Sequence, residues 1–227
     1  MSALEPILLV ARRLGALRDR VVFVGGAVRG VLITDPGAAP ERPTDDVDLI
    51  VEVTSAAGLY RLGTELRSLG FREDASPGAP ICRWLIEGVK VDVMPTEGNV
   101  LGFSNRWYAE AMVHSITLEV DGQRFRVINA PCFCATKLEA FRDRGNGDFY
   151  HHDLEDVIAV VDGREELTRE MRVAPEGVRR FVASEIRSLL ARAEFHAALP
   201  GHLPGDAASQ ERLSLVLERL RALGSLV

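Results

Sequence analysis

Cysteine is scarce in this chain: Cys82, Cys132 and Cys134 are the three found in 227 residues. So small and odd a number excludes a disulfide framework and points to a reducing, cytoplasmic setting. Long apolar runs are missing too, and none approaches the roughly 20 residues that a membrane span requires. The opening MSALEPILLVARRLG is amphipathic with acid and base mixed in. It lacks the basic head, apolar middle and small-residue cleavage site of a secretory leader, so no membrane partner is expected. Excess positive charge is absent: the net charge of −6 creates no whole-molecule field that would gather nucleic acid, although it does not exclude a local basic groove. Lysine is rare as well. Of 27 basic residues, only Lys90 and Lys137 are lysine and the rest are arginine, so each lysine position carries information.

What the chain does have is bulk. With 47% hydrophobic and 26% charged residues, it suits one large domain or two small ones around a genuine core. Residues 3–19 place apolar side chains at helical spacing. VVFV (21–24) reads as a short buried strand, Gly25-Gly26 as a turn and AVRGVLI (27–33) as a helix. TDPGAAPERPTD (34–45), rich in proline and glycine, reads as a surface loop. DDVDLIVEV (45–53) has a strand pattern, and a helix follows from about Ser55 to Leu69, closed by Gly70. ICRWLIEGVKVDVMP (81–95) and HSITLEVDGQRFRVI (114–128) read as hairpins around Glu87-Gly88 and Asp121-Gly122. From Pro131 onward four helical segments follow, PCFCATKLEAFRDR, FYHHDLEDVIAVVDG, PEGVRRFVASEIRSLLARAEF and SQERLSLVLERLRAL. The expected architecture is α+β: a small mixed sheet flanked by helices over residues 1–129, then an α-helical region over 130–227.

Strand parity isolates three carboxylates. Val47, Leu49, Val51 and Val53 share one apolar face, which leaves Asp46 and Asp48 on the other. In VKVDVMP, Val89, Val91 and Val93 face inward and Asp92 lies opposite. If the two strands are neighbours, three like charges converge, a costly arrangement unless a cation joins them. Two Mg²⁺ ions about 3.5–4 Å apart would be satisfied by three such side chains. The plain alternative is that Asp45 and Asp46 end a loop, Asp48 is exposed and Asp92 sits on a solvated face.

The ordered set VGGAVRG, DDVDL and VKVDVMP resembles the nucleotidyltransferase superfamily related to DNA polymerase beta, over roughly residues 20–95. The resemblance implies a triphosphate bound at Gly25 and Gly26, two Mg²⁺ ions held by Asp46 and Asp48, and a site completed by Asp92. The glycine segment is similar to that of CCA-adding tRNA nucleotidyltransferases and bacterial poly(A) polymerases, although the chain is shorter and its interval from Gly26 to Asp46 is longer. The helical half, with ATKLEAFRDRG followed by HHDLEDVIAVV, resembles the abortive-infection type (AbiEii-like) nucleotidyltransferases. By that resemblance Lys137 contacts nucleotide phosphates and Asp153 supports the site, with Asp156 on the same helix face. A compact ammonium suits a point contact to phosphate. Read from the residues alone, the rarity of lysine favours a functional Lys137 over an exposed lysine on an amphipathic helix, while Asp153 and Asp156 are equally compatible with solvated positions beside the stripe Leu154, Val157, Ile158 and Val161.

Other candidates carry less. Arg29, three residues after Gly26, is placed to contact phosphate or to pair with an acid of the site. His151 and His152 are adjacent and do not share a helix face, and CFC is not a zinc spacing. Trp84 and Trp107 are better read as core than as base-stacking platforms, and GFSNRWY (102–108) as a loop.

The reaction implied by the resemblance is metal-dependent transfer of a nucleoside monophosphate from an NTP such as ATP to an acceptor hydroxyl, with pyrophosphate released. The acceptor would be a tRNA 3′ end, and an antitoxin-like protein would be a partner. Small-molecule transfer of the antibiotic-modifying kind, and a catalytically silent nucleotide- or partner-binding module, are the alternatives.

Overall fold

The computed structural model describes residues 4–39, 44 and 46–226. Asp45 and residues 40–43, within the expected loop 34–45, lie outside the described residues. The chain divides into two compact units, Met1–Gly30 with Arg42–Asn129, and Val31–Glu41 with Ala130–Val227.

The first unit is built on a sheet. Helix α1 (Glu5–Leu14) has proline in its first turn and buries Ile7, Val10, Ala11 and Leu14, a stripe at three- and four-residue spacing. Each large side chain in that stripe contributes about 1.5–3 kcal/mol of apolar burial before the cost of ordering it. The helix stops at Gly15, whose φ of 53° is left-handed, and tightens into a 3-10 stretch, Gly15–Arg20. The expected helix over residues 3–19 is therefore interrupted.

Strand β1 (Val21–Val24) is buried throughout and leads through a short 3-10 turn, Gly26–Val28, into a single helical turn, α2 (Arg29–Leu32). AVRGVLI thus forms less helix than its pattern suggests. Gly30 sits within that short turn and Pro36 follows soon after, so there is little to extend it. β2 (Asp46–Val51) is followed by α3 (Ala56–Ser68), capped by Ser55 Oγ accepting the Gly58 N–H at 3.2 Å.

The remaining elements of this unit are β3 (Arg72–Glu73), β4 (Arg83–Ile86), β5 (Val89–Pro95), α4 (Gly98–Leu101), α5 (Tyr108–Val113), β6 (Ile116–Val120) and β7 (Gln123–Val127). Both expected hairpins form. Glu87-Gly88 and Asp121-Gly122 take positive φ at both turn residues, which matches the twist of the flanking strands. Among the described residues the strands make one mixed seven-stranded sheet in the order β3-β4-β5-β2-β1-β7-β6. Helix α3 packs on the face carrying Trp84 and Val93, where a cleft of about 280 Å³ remains between them. Trp84 is accordingly a core residue. Tyr108, at the start of α5, donates its hydroxyl to Met94 Sδ at 3.2 Å on the opposite face.

The second unit is helical: α6 (Ala130–Arg144), α7 (His152–Gly163), α8 (Leu167–Val173), α9 (Glu176–Leu190), α10 (Ala193–Ala198), α11 (Ala207–Glu211) and α12 (Leu213–Gly224). The segment from Pro175 to Phe195 breaks into two helices at Arg192, which is extended. Helix α8 escapes the sequence pattern because only Leu167 and Met171 anchor its seven residues. Among the described residues no helix is long and apolar enough to cross a membrane.

The start of the proline-rich loop is tied to the end of α7 within this unit. Thr34 and Asp35 both donate their N–H to the Gly163 carbonyl, at 2.8 and 2.9 Å. Arg212 joins Asp35 and Asp162, each at 2.7 Å, and Arg164 reaches the Leu32 carbonyl at 2.8 Å. The join leaves no room at Gly163, where a Cβ would meet Ile33 Cγ2 at 2.7 Å and the Ala38 Cβ at 3.0 Å. Gly163→Ala is therefore expected to destabilise by about 1–3 kcal/mol. Urea unfolding would show a lowered midpoint with an unchanged slope, and an unshifted midpoint would contradict the packing described.

Candidate functional site

The sheet register brings the three aspartates together. β2 and β5 run parallel, with Asp48 directly opposite Asp92 and Asp46 opposite Lys90. Residues paired across a ladder point to the same side, so Asp46, Asp48 and Asp92 share one face. Val47, Leu49 and Val51 are buried on the other face, as their alternation requires. Asp92 is buried, while Asp46 and Asp48 are half-exposed.

The glycine turn lies beside this patch because β1 is antiparallel to β2 and Val24 stands opposite Asp48. Gly25 has φ +72°, and a Cβ built on it would overlap the Asp48 carboxylate. Two constraints thus fix glycine here, a left-handed backbone and the close approach of a carboxylate. Gly26 opens the following turn, and its carbonyl accepts the Arg29 N–H. Arg29 itself is buried. Because α2 is one turn long, the backbone N–H groups of Gly25-Gly26-Ala27, rather than a helix dipole, are what this segment offers an anion.

Sequence reasoning missed Arg83. On β4 it is the register partner of Asp92, and its guanidinium forks onto that carboxylate, Nε to Oδ1 at 2.8 Å and Nη2 to Oδ2 at 2.7 Å. The same Nη2 reaches Asp46 Oδ2 at 3.2 Å. A fork of this kind is the strong form of the Arg–carboxylate pair. Hydrogen bonding to Asp92 raises the arginine's own pKa even though burial opposes it. Counting back across the two-residue Glu87-Gly88 turn places Arg83 opposite Asp92, so the hairpin arithmetic contained the signal. Burial, then the nearby Asp92 and Asp48 charges, push the adjacent Cys82 thiol up to about 11, leaving it protonated and unreactive at neutral pH.

The donor set fits a divalent cation in kind. Carboxylates are the hard oxygen ligands that Mg²⁺ or Mn²⁺ takes. Two of the three already pair with a cation, the Arg83 guanidinium.

In the helical unit, Lys137, Asp153 and Asp156 also come together, and all three are buried. Lys137 Nζ lies 3.1 Å from Asp153 Oδ1 and 2.7 Å from Asp156 Oδ2. Arg144, unanticipated from the sequence, forks onto Asp153 from the end of α6 at 2.8 and 3.0 Å. The solvated reading of these positions is excluded: a three-residue spacing on α7 aims both carboxylates at one ammonium. Burial pushes the Asp153 carboxyl up, but the Arg144 hydrogen bond and the Lys137 and Arg144 charges outweigh it and hold it below its ordinary value.

The adjacent histidines do meet, because His151 lies outside the helix as its N-cap and accepts the Asp153 N–H at 3.2 Å. Their rings are 4.2 Å apart, and with Asp153 they form the potential metal-ligand group found among the described residues. Arg144 and Lys137 already hold the Asp153 carboxylate, so the group reads as an ion-pair cluster. Cys132 and Cys134 are fully buried in α6, and burial raises the Cys134 thiol to about 12. Trp107 precedes α5 with Arg106 over its ring at 4.9 Å.

No protein-family model and no curated protein matches the chain. Among solved structures it is similar to the crystal structure of an antigenic nucleotidyltransferase-like protein from Paracoccidioides brasiliensis. The TM-score is 0.52 at 18% identity, over 85% of this chain and 90% of the other. The likeness is one of fold: this chain has a nucleotidyltransferase-like fold.

Removing the Lys137 ammonium would leave two buried carboxylates short of a partner. Lys137→Met is expected to cost about 3–5 kcal/mol at pH 7, measured by denaturant unfolding. The folded pKa of Asp153 is depressed, so its ion pairing stabilises fully above the ordinary carboxylate range and is lost as pH falls through the folded value. The gap between Lys137→Met and wild type should therefore narrow below about pH 4. A gap that stays constant to low pH would show the loss to be one of packing.

Proposed function

We propose that this chain is a metal-dependent nucleotidyltransferase that moves a nucleoside monophosphate from an NTP to an acceptor hydroxyl and releases pyrophosphate. The observation that carries this reading is the alignment of Asp48 with Asp92, with Asp46 on the same face, against a glycine that has no room for a side chain. The nucleotidyltransferase-like fold is consistent with it. Asp46, Asp48 and Asp92 are the residues that would hold two Mg²⁺ ions. When bound, such ions acidify a coordinated hydroxyl and offset the charge of a triphosphate.

The chain's own groups have separate tasks. The N–H groups of the Gly25-Gly26 turn meet phosphate oxygens, and Arg29 fixes the turn behind them. The acceptor oxygen forms its bond to the α-phosphorus as the bond to the pyrophosphate oxygen breaks, and Asp92 takes the hydroxyl proton. For Lys137 of the helical unit, a phosphate contact is supported by the resemblance alone; its ammonium pairs with Asp153 and Asp156 within that unit.

A tRNA 3′ end is the acceptor suggested by the glycine segment and by the lysine and aspartate helices; the latter also suggest an antitoxin-like partner. ATP is the NTP to try first, and the cytoplasm is the setting in which the cysteine usage makes sense. A second reading, a small hydroxylated acceptor of the antibiotic type, is favoured by the net charge of −6, which gives RNA no long-range attraction.

Incubation with α-labelled NTPs, Mg²⁺ and either total tRNA or a panel of hydroxylated small molecules separates the two. Label is expected in one acceptor class, and Asp48→Asn should lower incorporation by about two orders of magnitude or more with circular dichroism unchanged. Full incorporation by Asp48→Asn would sink the mechanism. Tight Mg-NTP binding with no turnover on any acceptor would identify a silent binding module.

A further inference from the structure

We infer that Arg83 is a resident counter-cation of the carboxylate patch, and that a divalent ion enters only by displacing its guanidinium from Asp92 and Asp46. This rests on the reading of Asp46, Asp48 and Asp92 as metal ligands. The fork takes both oxygens of Asp92, at 2.8 and 2.7 Å, and the same nitrogen takes an oxygen of Asp46 at 3.2 Å. A divalent ion drawn to these carboxylates would meet the fixed positive charge of the guanidinium at contact distance from both of them, so its binding competes with the Arg83 pairing.

Three further observations support the exchange. Register fixes the Arg83 backbone opposite Asp92, so the residue cannot leave the site, yet its side chain is 18% exposed and has a way out to solvent. A guanidinium does not lose its proton in a protein, so the pairing does not switch off as pH rises and a competing cation has to work against a permanent charge. Without it, like charges on β2 and β5 would repel across the ladder. Arg83 therefore keeps the metal-free sheet stable and weakens ion binding by the strength of its own pairing.

The test uses the full chain and Mn²⁺, with free Mn²⁺ followed by electron paramagnetic resonance and unfolding followed by thermal melts. Arg83→Gln is expected to bind Mn²⁺ on the order of tenfold more tightly than wild type. It should melt lower than wild type without metal and gain more on addition of Mn²⁺. The double variant Arg83→Gln, Asp92→Asn should lose the added affinity. Equal or weaker binding by folded Arg83→Gln would overturn the exchange while leaving the metal site standing. Absence of Mn²⁺ binding in wild type and Arg83→Gln alike would overturn the metal reading itself, and this inference with it. Should Arg83→Gln not fold, Arg83→Lys keeps the charge without the fork and is expected to bind more tightly than wild type. Unchanged affinity there would equally refute the exchange.

Discussion

Like charges on neighbouring strands repel, and the parallel pairing of β2 with β5 places Asp48 beside Asp92 on a face that already carries Asp46. The sheet cannot relieve this by slipping, because a one-residue shift would turn Val47, Leu49 and Val51 out of the core. Apolar burial therefore holds the acids together, and something positive has to answer them. In this chain the answer comes from the next strand, where Arg83 is delivered to Asp92 by the hairpin register. Burial of one face thus creates the electrostatic problem on the other, and the hairpin supplies its solution.

The glycine turn belongs to the same constraint. Gly25 takes a left-handed backbone and comes so close to Asp48 that no side chain fits between them. A Gly-Gly pair after a buried strand is compatible with a simple turn or with a phosphate cradle. Here its first requirement is the carboxylate it packs against, and any role toward phosphate is built on that contact. The shortness of α2 sharpens the point, since an anion at this turn would be met by individual N–H groups rather than by a long helix dipole.

The helical unit repeats the strategy with different parts. Asp153 and Asp156 are buried on α7 and are answered by Lys137 from α6, with Arg144 forked onto Asp153. In each unit buried carboxylates persist because the chain supplies cations at hydrogen-bond distance, an arrangement that costs stability if either partner is removed.

The amino-acid sequence by itself determined the strand parity of Asp46, Asp48 and Asp92, both two-residue hairpins, and the positions of the main helices, including α6 and α7. These are local matters, set by a period of two or 3.6 and by turn chemistry. It also marked Lys137 through the scarcity of lysine, but could not say whether its partners were buried. Only the tertiary structure decided that β2 and β5 are neighbours in register and that Arg83 sits on Asp92 and Asp46. It likewise decided that Asp153 takes Arg144 as well as Lys137, and that His151 steps out of α7 to meet His152. Those facts depend on which strands pair and on which side chains burial leaves without water, and long-range pairing is not written in any local period.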